Sequence, residues 1–212
     1  MAIIDVKDVT LKIKKDDILK NISVEFEEGK IHGLIGRNGS GKTMLMKCIC
    51  GFVKPSSGEI TVKDKKVGKD IDFPDDVGII IETPGFIPYY SGYRNLKLLA
   101  GQNKKISNEQ IKDSIKSVGL DPNMKKSVRK YSLGMRQRLG LAQAIMEDPS
   151  ILILDEPLSG LDKEGVTEMR EYLKTFREQG KTILIASHST EDIEILCDTV
   201  SEMDKGILTK IR

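Results

Sequence analysis

The 212-residue sequence has no tryptophan, only three cysteines and few aromatic residues of any kind (5%). Three cysteines cannot form a complete set of disulfides, and Cys48, Cys50 and Cys197 show no metal-finger spacing. We therefore expect buried, reduced thiols, which are typical of cytosolic proteins. Positive and negative charges are nearly balanced, with 34 lysines and arginines and 32 aspartates and glutamates. A formal net charge of +2 creates no large field, so we expect no nucleic-acid partner.

Long hydrophobic runs are also missing. The segment from Met1 to Asp5 lacks the basic start and the apolar stretch of a signal peptide. No uncharged apolar run approaches the ~20 residues that span a bilayer, so we expect that the chain does not cross a membrane by itself. Hydrophobic residues make up 39% and charged residues 31%, which is typical of a soluble globular protein. The length fits one domain, or one domain with a small insert.

Short apolar strands alternate with helices along much of the chain. The first ~30 residues alternate as half-buried strands, and buried strands are predicted at 31–35, 77–81, 151–154 and 182–186. A helix is predicted over 42–50 and a hairpin over 200–211. The segment from about 86 to 147 is predicted to be mostly helical, with Ser107 and Gln110 as a capping box and Gly119 as a helix end. This order predicts an α/β fold with a helical subdomain insert.

A glycine-rich loop lies between the predicted strand 31–35 and the helix that follows it. It matches GxxxxGK[ST] completely. Its glycines allow backbone N–H groups to surround phosphate oxygens, and the helix N-terminus adds partial positive charge. Lys42 is expected to reach the β- and γ-phosphates, and the Thr43 hydroxyl to ligate Mg²⁺. The predicted nucleotide-binding residues are Gly36, Arg37, Asn38, Gly39, Ser40, Gly41, Lys42 and Thr43.

Two acidic residues end the predicted strand 151–154. Asp155 is expected to hold Mg²⁺ at the carboxyl edge of the sheet, and Glu156 to orient or deprotonate the attacking water. Together with the phosphate loop, this pair predicts a nucleoside triphosphatase. A GTPase is disfavoured, because residues 103–106 lack the aspartate of the NKxD base-reading motif.

At residues 131–138, Tyr-Ser-Leu-Gly-Met-Arg-Gln-Arg, the sequence resembles the signature of the ABC ATPases, usually written LSGGQ. The order and spacing of the phosphate loop, this signature, the acid pair, Asp162 and His188 match that family across nearly the whole chain. The resemblance implies a P-loop core of the ABC type with an N-terminal antiparallel β-subdomain and a helical insert. It also implies one nucleotide-binding domain over 1–212, with about 86–147 as the helical subdomain.

The resemblance also implies roles for individual residues. Ser132 and Gly134 would face the ATP of a second nucleotide-binding domain, an identical or a homologous chain, so that two ATP molecules lie between two domains. Asp162 would lie in the loop between the two active sites. His188 would contact the γ-phosphate and help to hold Glu156 and the water. His32 has no such context, and we interpret it as structural.

The sequence departs from the family pattern in the signature and at two other positions. Ile13 stands where an aromatic side chain usually stacks on adenine, which weakens a contact worth ~1–3 kcal/mol. Glu82 replaces the usual glutamine after the strand 77–81 and remains a candidate metal ligand. Glu82, the sequence that follows it and the Ser-Leu-Gly-Met signature resemble the ATPase subunits of lantibiotic-immunity and bacitracin-resistance exporters.

Four aromatic side chains follow Glu82 closely, namely Phe86, Tyr89, Tyr90 and Tyr93. They either pack the core of the helical insert or form an apolar groove for a short helix of a membrane permease. The favoured function is the ATPase subunit of a peptide exporter, at the cytoplasmic face of the membrane with a separate permease. An importer ATPase and a soluble ABC protein of translation or DNA repair remain alternatives.

Overall fold

A computed structural model describes residues 1–103 and 106–212 of the chain. The described residues form two β-sheets and six α-helices. The strands are β1 (Ala2–Ile13), β2 (Asp16–Glu27), β3 (Ile31–Ile35), β4 (Ser57–Val62), β5 (Lys65–Lys66), β6 (Val77–Ile80), β7 (Ile151–Asp155), β8 (Thr182–Ala186), β9 (Thr199–Asp204) and β10 (Ile207–Lys210). The helices are α1 (Lys42–Ile49), α2 (Gly92–Asn103), α3 (Asn108–Ser117), α4 (Leu133–Ile145), α5 (Lys163–Glu178) and α6 (Thr190–Leu196).

The smaller sheet is antiparallel, with the strand order β2-β1-β4-β5. Val6 and Leu11 of β1 are buried, as are Leu19 and Ile22 of β2, while many of the residues between them are exposed. This alternation buries one face and leaves the other to solvent, as expected for an antiparallel sheet with a single core face. The predicted N-terminal antiparallel β-subdomain is confirmed.

The larger sheet has the order β10-β9-β3-β8-β7-β6 and is parallel except for the β9–β10 hairpin at one edge. Its central strands β3, β7 and β8 are apolar along nearly their whole length because both faces of the sheet are covered. The predicted strand 77–81 is one residue shorter in the structure and forms the other edge of the sheet.

Two hydrophobic clusters lie on opposite faces of this sheet. One packs the sheet against the helices α2 to α6, and the other packs it against α1 and the smaller sheet. Alternate residues of the central strands enter different clusters, with Leu152, Leu154, Ile183 and Ile185 in the first and Ile151, Ile153, Leu184 and Ala186 in the second. Because successive side chains of a strand point to opposite faces of the sheet, β7 and β8 contribute to both hydrophobic clusters.

The segment from 86 to 147 contains α2, α3, α4 and a 3₁₀ turn, which confirms its helical prediction, although residues 104 and 105 lie outside the described residues. Ser107 and Gln110 form the predicted capping box at the start of α3. The short helix α6 was not predicted; Ser189 caps it by accepting a hydrogen bond from the Asp192 N–H at 3.2 Å.

The three cysteines and His32 lie in the interior, as the sequence predicts. Cys48, Cys50 and Cys197 are free and buried. His32 is buried, with Nδ1 at 2.7 Å from Thr199 Oγ1 and Nε2 at 2.8 Å from the Glu27 carbonyl oxygen. Burial lowers the pKa of His32, so this residue is a neutral part of the core. Among the described residues, the helices fall short of the length and apolar character that a membrane span requires.

Candidate active site

The predicted phosphate loop and acid pair meet at the carboxyl ends of β3 and β7. They line a pocket of about 460 Å³ together with Ile18 and Met44. The strand between β3 and β7 in the sheet is β8, and His188 follows it by two residues. Ligands of open parallel sheets bind at this edge, so the topology brings together motifs that lie more than 100 residues apart in sequence.

Local backbone geometry explains the glycines of the phosphate loop. Gly36 has φ 143°, and a Cβ atom there would lie 2.2 Å from the Met203 carbonyl oxygen. Gly41 precedes α1 with φ 119°, and α1 has no side-chain cap. The N–H groups of its first turn therefore remain available to an anion, next to the positive end of the helix dipole. This arrangement fits the phosphates of a nucleotide.

Lys42 brings a positive charge into the phosphate loop. Its side chain is buried, and Nζ donates to the carbonyl oxygens of Gly36 at 2.6 Å and of Arg37 at 3.2 Å. The ammonium group thus holds the loop closed around itself. Phosphate oxygens could replace these carbonyl oxygens as acceptors of the Lys42 ammonium group.

The hydroxyl of Thr43 donates to Asp155 Oδ2 at 2.6 Å across the pocket. One hydroxyl and one carboxylate, completed by phosphate oxygens and water, is the type of oxygen ligand set that Mg²⁺ prefers. No group of three or more His, Cys, Asp or Glu residues that could bind a metal occurs in the described parts of the chain. Thr43 and Asp155 could therefore hold a Mg²⁺ ion together with the phosphates of a bound nucleotide.

Glu156 and His188 form a hydrogen-bonded pair, with His188 Nδ1 at 2.7 Å from Glu156 Oε2. The Glu156 backbone adopts φ 51°, which is uncommon outside glycine, and its N–H donates to the Ala186 carbonyl oxygen at 2.9 Å. Gln137 Nε2 on α4 also donates to the Glu156 carbonyl oxygen at 3.1 Å. This fixed carboxylate can accept a proton from water, and the imidazole can orient it. Sequence reasoning missed Gln137, because its position in a helical pattern carries no sign of this contact.

A buried ion pair supports the loop that carries His188. Arg170 of α5 donates from Nε to Asp192 Oδ1 at 2.9 Å and from Nη2 to the same oxygen at 2.5 Å. Ser187 Oγ accepts a hydrogen bond from the Ser189 N–H at 3.1 Å and lies 3.4 Å from Asp192 Oδ2. These contacts join α5, α6 and the residues on both sides of His188 into one network.

The signature lies outside the pocket. Ser132 caps α4 by accepting a hydrogen bond from the Met135 N–H at 3.2 Å. A Cβ atom at Gly134 would lie 2.9 Å from the Gly160 carbonyl oxygen, so the residue is part of a close packing contact. Asp162 caps α5 through the Gly165 N–H at 3.0 Å. Neither Ser132 nor Gly134 lines the pocket with the phosphate loop.

Other predicted site residues also lie outside the pocket lining, namely Gly36, Arg37, His188, Ile13 and Glu82. Ile13 ends β1, is 42% exposed and does not line the pocket, where Ile18 supplies an aliphatic wall instead. Glu82 Oε1 accepts a hydrogen bond from Lys47 Nζ at 2.6 Å, and Glu82 does not line the pocket that contains Thr43 and Asp155. Lys47 is a second residue that sequence reasoning did not identify.

A larger cavity, of about 660 Å³, runs along the outer edge of β6 and continues against α4. We call it the β6 groove; its lining includes Phe52, Ile81, Pro84, Leu99 and Gln143. The four clustered aromatic residues do not line it. Phe86 and Tyr93 pack against the core, whereas Tyr89 is exposed and Tyr90 stacks against the Arg94 guanidinium at 3.8 Å. Of the two alternatives for these side chains, packing against the core therefore applies to Phe86 and Tyr93, and none of the four lines the β6 groove.

Comparison with known sequences identifies the family. The family model described as ABC transporter matches residues 19–159. The uncharacterised ABC transporter ATP-binding protein YybJ of Bacillus subtilis (strain 168) is 48% identical over 205 residues, 97% of this chain and 94% of YybJ. The bacitracin transport ATP-binding protein BcrA of Enterococcus faecalis is 39% identical over 98% of this chain and 68% of BcrA. The lantibiotic transport ATP-binding protein SrtF of Streptococcus pyogenes is 37% identical over 91% of this chain and 82% of SrtF.

The solved structures agree on the fold. The ATP-binding cassette MJ0796, described as a dimer in a post-hydrolysis state bound to ADP and Pi, has a TM-score of 0.87 and 22% identity over 99% of both chains. The predicted α/β fold with a P-loop core and the resemblance to the bacitracin and lantibiotic transport ATPases are confirmed. The chain therefore belongs to the ABC transporter family, as an ATP-binding subunit that hydrolyses ATP.

Proposed function

We propose that this ATPase drives the export of an antimicrobial peptide, such as a lantibiotic or bacitracin, through a separate membrane permease. The observation that carries the proposal is the similarity, over nearly the whole chain, to both BcrA and SrtF. The chain would work at the cytoplasmic face of the membrane, where ATP is available.

The proposed reaction uses ATP with Mg²⁺ in the pocket between the phosphate loop and the acid pair. Lys42 would bind the β- and γ-phosphates, and Thr43 and Asp155 would hold the metal. Glu156 would take a proton from the attacking water while His188 keeps the carboxylate in place. The 2.6 Å contact between Thr43 and Asp155 and the 2.7 Å contact between His188 and Glu156 support these roles.

A second copy of the chain, or a homologous one, would complete the site. The N-terminus of the signature helix α4, capped by Ser132, does not line the pocket of its own chain, so it can face a nucleotide held by another chain. Leu133, the first residue of α4, is 64% exposed, which suits a surface that becomes covered when two chains close.

The β6 groove is the proposed contact for the permease. Phe52 and Leu99 expose apolar surface on it, and Asp75 at its rim has a side chain that is 82% exposed. A groove that combines apolar side chains with acidic groups fits a short amphipathic helix that carries basic residues beside its apolar face. Ile81 and Thr83 also line the groove, on both sides of Glu82, so the proposed permease contact adjoins the candidate metal ligand.

The test is to co-express the chain with the permease that copurifies with it in a sensitive Gram-positive host. Growth should tolerate more bacitracin or lantibiotic with the wild-type chain than with the Glu156→Gln variant, expressed to the same level. Inside-out vesicles from these cells should accumulate labelled peptide only with ATP. ATP-dependent uptake of a solute by right-side-out vesicles, without any change in peptide tolerance, would show an importer instead.

A further inference from the structure

Glu82 has an ion-pair partner on the phosphate-binding helix. Lys47 Nζ lies 2.6 Å from Glu82 Oε1, and the Lys47 side chain is 24% exposed. Lys47 follows Thr43 by four residues on α1, so both side chains are on the same face of the helix, one turn apart. The cation therefore stands one helical turn from the hydroxyl that contacts Asp155.

The same pair adjoins the β6 groove. Phe52, which lines the groove, donates its backbone N–H to the Lys47 carbonyl oxygen at 2.9 Å. Glu82 follows β6 with φ 61°, a backbone conformation that is unfavourable for a residue other than glycine. A strained backbone persists where surrounding contacts fix it, and the Lys47 contact is one that the structure shows.

We infer that Lys47 is a positioning residue that holds the Glu82 carboxylate away from the metal site and competes with Mg²⁺ for it. The inference rests on the proposed role of Glu82 as a metal ligand. Glu82 occupies one of two places, beside Lys47 or beside the metal.

The competition has a measurable consequence. Neutralising Lys47 frees Glu82, so Mg²⁺ should strengthen nucleotide binding more than it does in the wild-type chain. The appropriate quantity is the Mg²⁺ enhancement, defined as the dissociation constant of ATP in EDTA divided by that in Mg²⁺. Because the ratio cancels any effect of Lys47 on the phosphates themselves, it reports on the metal alone.

The experiment measures this enhancement by fluorescence, with an ATP analogue that has an imido group between the β- and γ-phosphates and is not hydrolysed. Lys47→Met should raise the enhancement roughly two- to fivefold, the size expected for a partly exposed ion pair. Lys47→Arg should leave it unchanged, because the charge remains. Lys54→Met, which removes the same charge from the exposed loop after α1, is the matched control and should also leave it unchanged.

Measurements on the Glu82→Gln variant separate the proposed metal-ligand role of Glu82 from the competition by Lys47. Glu82→Gln alone should lower the enhancement, and adding Lys47→Met should then change nothing further. If Lys47→Met shifts the enhancement equally with and without Glu82→Gln, or lowers it, the inference about Lys47 is overturned. If Glu82→Gln lowers the enhancement and Lys47→Met has no effect, the proposed ligand role stands and only the competition fails. An enhancement that Glu82→Gln leaves unchanged would remove Glu82 from the metal site.

Discussion

Lys42 places its charge inside the phosphate loop, on a side chain that is only 6% exposed. Charged hydrogen bonds contribute about 1.5–3 kcal/mol each. Since Lys42 would supply more than one to the β- and γ-phosphates, Lys42→Ala should weaken ATP binding by at least roughly 10²-fold. ATP binding and hydrolysis are the measurements, with Lys54→Ala as the control. Near-normal hydrolysis by a folded Lys42→Ala variant would contradict the assignment of the phosphate loop.

The three buried thiols allow a prediction about pH. Burial raises the pKa of Cys48 to about 11 and the pKa values of Cys50 and Cys197 to about 12, against an ordinary 9.0. At pH 8 all three groups are therefore protonated and unreactive. A thiol-reactive dye should label the native protein very slowly at pH 8 and all three cysteines after unfolding in guanidinium. Rapid labelling of the native protein at this pH would show that a thiol is accessible and ionised.

At the scale of residues, contiguous motifs were predictable and contacts across the fold were not. The phosphate loop follows from its glycines and Lys42, because those residue types are needed at that spacing for local reasons. The partner of Glu82 was not predictable, since Lys47 lies 35 residues earlier in a different element and nothing in its pattern marks the contact. Gln137 was missed for the same reason, because α4 meets Glu156 only after the chain has folded.

At the scale of elements, the ion pair between Arg170 and Asp192 ties α5 to α6 beside His188. The two side chains are 11% and 8% exposed, and breaking a buried pair by removing one partner costs about 3–5 kcal/mol. Arg170→Met should therefore lower the melting temperature by roughly 10 °C or more and slow ATP hydrolysis, because the His188 loop loses its support. Lys174→Met is the control on the same helix, since its pair with Glu171 is largely exposed and contributes little.

Calorimetry together with steady-state hydrolysis measures both effects. If Arg170→Met behaves like Lys174→Met in stability and rate, the ion pair supports neither the helices nor the His188 loop.

The strength of the local signal explains which elements the sequence predicted. β3 and β8 have the bounds predicted for them and β7 is within one residue, because apolar runs of five residues between turn signals fit few structures other than buried strands. The seven-residue helix α6 escaped prediction, since two turns carry too few apolar positions to show a period of 3.6. The order of the strands in the two sheets was not predicted, because sequence periodicity carries no information about which strands pair.

At the scale of the whole molecule, the described chain holds one phosphate loop and a signature that does not line the same pocket. The proposed function requires two chains to close on ATP, with the phosphate loop of one facing the signature of the other. Hydrolysis would then release the partner, so a chain that binds ATP without consuming it should remain paired. The oligomeric state of such a variant in the presence of ATP therefore tests the proposed catalytic residues and the proposed pairing of two chains together.

The most direct measurement is therefore the mass of the Glu156→Gln variant by size-exclusion chromatography with light scattering. Loss of a general base slows hydrolysis by about 10²–10⁴-fold, so bound ATP persists during the run. With saturating Mg²⁺ and ATP we expect a dimer, with twice the 23.6 kDa mass of one chain. Without nucleotide, or with Lys42→Ala added, the same variant should run as a monomer. A Glu156→Gln variant that stays monomeric at saturating ATP and still hydrolyses it would contradict both the role of Glu156 and the shared site.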